Sequence, residues 1–90
     1  MKIGPVTYEE IDVPDLVGDE GQPLFGQIKH LPRLIELNAA IKGTERKITR
    51  WHEALHAIED LYGLILSESE VSLLSTCIVQ IIEDNPDLLT

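Results

Sequence analysis

The run from Thr44 to Gly63 reads as one amphipathic helix, and the border of its apolar stripe carries His52-Glu53-Ala54-Leu55-His56. At about 100° per residue, Ile48, Trp51, Leu55, Ile58 and Tyr62 fall on one face, the face a core should cover. His52 and His56 flank that stripe. Four residues apart is one helical turn on the same side, so both imidazoles can reach a single ion. Glu53 points about 100° round the axis from His52, where it can hold a water rather than ligate. Such a pair belongs at the edge of a core that faces a cleft.

The pattern is the HExxH zinc signature. In a 90-residue chain with 3 His it arises by chance on the order of one time in a hundred, so its surroundings have to decide. The alternative is two ordinary histidines on a half-exposed helix face.

Ninety residues allow one domain, 1–90, whose stability from burial alone is marginal, so a metal could staple the fold as well as act in it. The first residues, Met1-Lys2-Ile3-Gly4-Pro5, lack the apolar core of a signal peptide, and no apolar run reaches bilayer length. The expectation is a soluble, cytoplasmic protein with no membrane partner. The single cysteine, Cys77, falls among Leu73, Leu74, Ile78 and Ile81 and reads as a small core residue. Net charge is -9 and unevenly spread: Lys42, Arg46, Lys47 and Arg50 cluster before the motif, whereas residues 52–90 hold eight acids and no Lys or Arg. Nucleic acid is excluded as a partner, because phosphate binding needs a positive surface.

Along the chain, Ile3 to Val13 mixes Val, Ile, Tyr and Thr as a strand does, but Pro5 cannot donate to a ladder and makes it an edge or late-starting strand. Residues 15–23 have loop composition around Gly18-Asp19-Glu20-Gly21. Residues 24–30 and 33–38 read as a hairpin about Leu31-Pro32. Thr44 is the expected N-cap of the first helix, which should end near Gly63. Ser67 and Glu70, three apart, match a capping box opening a second helix through Leu74, Ile78 and Ile81 that stops at Asn85-Pro86.

Strands, then a helix bearing HExxH, then a short connection and a second helix opening with glutamate resemble the gluzincin zinc metallopeptidases. The smallest members are the nearest in kind: ImmA/IrrE-type domains, minigluzincins and short phage or prophage proteins, over roughly residues 24–86. The resemblance implies peptide-bond hydrolysis with zinc as cofactor. Carried over by position, His52 and His56 are metal ligands, Glu53 is the general base, and Glu70 is the third ligand, competing there with its capping-box role. Helical periodicity also puts Glu70 at the start of the face that continues through Leu74, Cys77 and Ile81, and packing of this face on the Trp51, Leu55 and Ile58 stripe should bring its carboxylate towards His52 and His56. Val71-Ser72 stands where ImmA/IrrE-type domains usually show Ala-Asn. Larger gluzincins supply an oxyanion donor from a C-terminal subdomain; the candidate substitutes here are His30 and Tyr62.

The expected architecture is therefore α+β: a small, mainly antiparallel sheet of about three strands on two helices, a minimal zincin-like domain. An extended peptide or protein substrate would lie along an exposed edge strand, with residues 33–38 the expected edge. The resemblance to minigluzincins also implies latency, with Asn85 to Thr90 lying in a neighbouring cleft. Two rivals stand beside this reading. One is a non-enzymatic interaction protein of phage type with a structural or vestigial zinc site; the other is a small binding protein in which HEALH is accidental.

Overall fold

Gly4 and Pro5 break the N-terminal strand into a short hairpin. In the computed structural model, which describes residues 1–90, β1 (Lys2–Ile3) pairs antiparallel with β2 (Val6–Thr7), Ile3 opposite Val6. The chain then runs through Tyr8 into β3 (Glu9–Val13), crosses the 15–23 loop, and forms the hairpin of β4 (Gly26–Lys29) and β5 (Leu34–Asn38). Ile28 stands opposite Ile35 in that antiparallel pair. The domain is α+β, as expected, and two of its three strand pairings are antiparallel. The third is parallel: β3 runs alongside β5, Glu9 opposite Leu34 through Val13 opposite Asn38.

Strand order β3-β5-β4 puts residues 34–38 in the centre of the sheet. The expected edge at 33–38 is thus corrected: the free edges belong to β3 and β4. The composition of β5 fits its place. Ile35 and Leu37, two apart and so on one face of the pleat, are 0% and 1% exposed, a burial that typically stabilises by about 1.5–3 kcal/mol per side chain. They meet Ile3, Tyr8, Ala54 and Ala57 in the core, with Met1, Val6, Ile28, Ile58 and Leu61 packed around them.

Helix α1 (Gly43–Tyr62) lies on this sheet, and α2 (Glu68–Asp84) lies on α1 rather than on any strand. The end of α1 is where the sequence puts it. Gly63 adopts φ 71°, a left-handed value that favours glycine, and its N–H donates to the Glu59 carbonyl at 3.0 Å. The start differs. Lys42, not Thr44, occupies the N-cap position, and no side chain caps the helix. The box at the start of α2 is present in full: Glu70 N–H donates to Ser67 Oγ at 3.1 Å, and Ser67 N–H to Glu70 Oε1 at 2.8 Å.

Both apolar faces are rotated from the expected ones. On α1 the buried residues are Thr49, Glu53, Ala54 and Ala57, because a helix covered on two sides can approach its neighbours only where its side chains are small. Trp51, at 37% exposed, instead lines a groove with Met1, Lys2 and Ile3, and Tyr62 is 61% exposed. On α2 the buried residues are Val71, Ser75 and Val79. Leu73, Leu74, Ile81 and Cys77 face outward, so Cys77 is an exposed thiol and not a core residue. No helix is long and apolar enough to cross a membrane.

Candidate metal centre

The site begins with a missing side chain. A Cβ at Gly26 would stand 2.6 Å from Thr49 Cγ2, 3.1 Å from the Glu36 carbonyl and 3.5 Å from Glu53 Cγ. Only glycine lets β4 come down so closely over the α1 turn that holds Thr49 and Glu53. Thr49 answers its burial by donating its hydroxyl to the Glu45 carbonyl at 2.8 Å. Glu53, 4% exposed, has no such answer: its Oε2 is buried without a partner. Burial pushes its carboxyl up to about 7, with His56 pulling the other way and the negative charge of Glu68 adding to the rise. A cleft of about 320 Å³ opens beside it, bounded by Phe25 and Gly26, by His52 and Glu53, and by Ser72 and Thr76 of α2.

His52 and His56 turn towards each other across one helical turn, with Nε2 to Nε2 at 3.2 Å. The Nδ1 of His56 lies 2.8 Å from Glu59 Oε1. An ionised carboxylate can only accept, so this nitrogen carries a proton, and Nε2 is the ring atom the side chain can offer to an ion. One ligand atom from each of His52, Glu53 and His56 can be chosen so that all lie within 4.8 Å of one another. The structure brings the two rings together as the four-residue spacing requires, with Glu53 beside them.

The carboxylate facing the histidines is that of Glu68. Its Oε1 lies 2.7 Å from His52 Nε2 and its Oε2 3.2 Å from His56 Nε2. Glu70, the expected third ligand, is held in the capping box, where the Ser67 amide and hydroxyl lower its pKa. The reason is the rotation of α2. Val71, Ser75 and Val79 are its inner stripe, and three residues before Val71 on that stripe is Glu68, whereas Glu70 is two residues further on and points away. The signal was available: a line of small residues, Val71, Ser75 and Val79, marks the face that can sit closest to another helix.

Sequence reasoning gave Glu59 no role. Besides the His56 ring, Glu59 accepts the Leu66 N–H on Oε2 at 3.0 Å, and that amide is the first cause of its lowered pKa. The two candidate oxyanion donors lie apart from the cleft. His30 Nδ1 is 3.2 Å from the Tyr8 hydroxyl and 3.6 Å from Asp60 Oδ2, in a separate depression that it lines with His56, Glu59 and Asp60. Tyr62 stands against Gly4 in the N-terminal hairpin. Residues 85–90 form a turned extension of α2, Leu88 and Leu89 exposed, and none of them lines the cleft.

The donor set suits zinc. Two nitrogens at about 2.0–2.1 Å in a tetrahedral shell stand about 3.3 Å apart, and His52 and His56 hold theirs at 3.2 Å. Comparison with family models, curated proteins and solved structures finds no significant match to this chain. The chemistry therefore has to be argued from the residues.

Proposed function

We propose that this chain is a small zinc-dependent peptidase of gluzincin type, with His52, His56 and Glu68 as ligands and Glu53 as general base. The observation that carries the reading is the conjunction of three converging donor groups with an orphaned, buried carboxylate one residue along from His52, the two lining one cleft. A surface ion-pair network accounts for the first feature but not the second, since a buried carboxylate without a partner is destabilising unless it has other work. Zinc in such a site polarises a carbonyl and lowers the pKa of a bound water towards 7.

The chain's own part is proton transfer and positioning. Glu53 Oε2 takes the proton of the attacking water as its oxygen adds to the scissile carbonyl carbon, then returns it to the amide nitrogen as the C–N bond breaks. The substrate is an extended peptide paired along β4, because β4 is a sheet edge whose first residue, Gly26, borders the cleft beside Glu53. Backbone pairing of this kind selects for extended conformation more than for sequence. The exposed free thiol of Cys77 fits a reducing, cytoplasmic setting.

A second reading is a zinc-stapled interaction protein. It is favoured by the apolar outer face of α2, where Leu73 is 65% and Ile81 42% exposed. One experiment separates the two: metal content of protein purified without added zinc, followed by hydrolysis of a fluorogenic peptide mixture by parent and Glu53→Gln. Hydrolysis by the zinc-loaded parent alone supports the peptidase. Zinc without hydrolysis supports the stapled binder, and protein that takes up no zinc refutes both.

A further inference from the structure

The carboxylate of Glu59 touches two parts of the chain that must be registered with each other. Oε1 accepts from His56 Nδ1 at 2.8 Å, and Oε2 accepts the Leu66 N–H at 3.0 Å. Leu66 immediately precedes Ser67, the cap of α2, and Glu68 follows that cap. His56 sits on α1 and Glu68 on α2, so their alignment depends on where the connection of residues 63–67 leaves α1 and enters α2. The α1 end is fixed by Gly63. Glu59 fixes the other end, one residue before the cap, with the same side chain that orients the His56 ring.

We infer that Glu59 is a positioning residue that aligns two ligands at once, His56 through its ring N–H and Glu68 through the Leu66 amide, so that metal binding and order in the connection are one event. The inference rests on the zinc site proposed above. Both bonds run to one carboxylate and draw on separate oxygens, so an ion that tightens His56 also tightens the grip on Leu66. An acceptor behind a ligating imidazole commonly changes metal affinity 10–100-fold, and here the same group also sets the approach of the carboxylate ligand.

The test compares the parent with Glu59→Gln, and with Glu59→Asp in case the first does not fold. Gln has one acceptor oxygen for two donors; Asp keeps the charge but is one methylene too short to span both. Zinc affinity by competition with a chromophoric chelator should fall about 10–100-fold in either variant. Two further readouts separate alignment from general loosening of the fold. In the parent, zinc should slow hydrogen exchange at the Leu66 amide and bring out a downfield His56 Nδ1–H signal; in the variants neither should occur. Parent-like zinc affinity in a folded variant, or zinc-dependent protection of Leu66 that survives the substitution, overturns the inference and leaves the zinc site standing. A parent that binds no zinc removes the site itself, and the inference with it.

Discussion

Glu68 and Glu70 lie two residues apart at the start of one helix, and the structure gives them separable jobs that a paired measurement can resolve. Glu70 and Ser67 close the capping box. Removing such a cap by Ser67→Ala costs about 1 kcal/mol, and for a domain of this size that lowers the melting temperature by roughly 4–8 °C. Glu70→Ala should act in the same direction by less, since Ser67 Oγ still has an amide to accept. Both losses should be the same in chelator and in zinc. Glu68 makes no cap contact and faces the imidazoles at 2.7 and 3.2 Å, so Glu68→Ala should leave the melting temperature in chelator near the parent's. Zinc at a hundredfold excess over its Kd should stabilise the parent by about 2.7 kcal/mol, roughly 10–20 °C at the same conversion. A hundredfold loss of affinity would leave only about 0.4 kcal/mol of that. The assay is a set of thermal melts with and without zinc on the parent and three variants. Undiminished zinc stabilisation in Glu68→Ala, or its loss in Glu70→Ala, refutes the assignment.

Gly26→Ala should destabilise by about 1–3 kcal/mol through overpacking, because the new methyl would meet Thr49 Cγ2 at 2.6 Å; urea unfolding checks this, and an unchanged midpoint would mean that β4 does not approach α1 so closely. In chelator, the Glu53 carboxyl at about 7 in the folded chain against 4.5 normally means that the folded state binds the extra proton. Its contribution is full below the unfolded value and is lost as pH rises through 7, so melting temperature should fall from pH 5 to pH 8 more steeply in the parent than in Glu53→Gln. Parallel profiles would show that Glu53 is not buried as a neutral group. Ending the chain at Asp84 should leave peptidase activity unchanged, since residues 85–90 stand clear of the cleft; a gain of activity would restore latency.

What could be read from the sequence was whatever depends on short spacing. The pairing of His52 with His56, the glycine stop at Gly63, the box at Ser67 and Glu70 and the hairpin about Leu31-Pro32 are each settled within a few residues, and each stands in the structure. The centrality of β5 could not be read, because β3 joins it in parallel from about twenty-five residues away and nothing local announces a parallel neighbour. The rotation of both helices was misread for one reason. Bulky apolar residues such as Trp51 and Leu74 drew the faces, yet close helix contacts select small ones, and Ala54, Ala57 and Ser75 took the inside. That rotation brings the Glu68 carboxylate, rather than that of Glu70, against the two imidazoles.

The core cluster contains no residue of α2. The helix packs on α1 alone, so an opening at that seam would leave the sheet and the histidine pair in place while uncovering Val71, Ser75 and Val79 and the α1 face beneath them. Two nitrogen donors stay with the main body on such an opening, and one oxygen donor leaves with α2. An ion bound at that seam is a rivet between two cohesive units. It would leave by the hinging of one helix, on the timescale of local opening, long before the protein as a whole unfolds. Eleven residues lie between His56 and Glu68, so the loop such a rivet would close is short. Its hold would come from keeping two surfaces together.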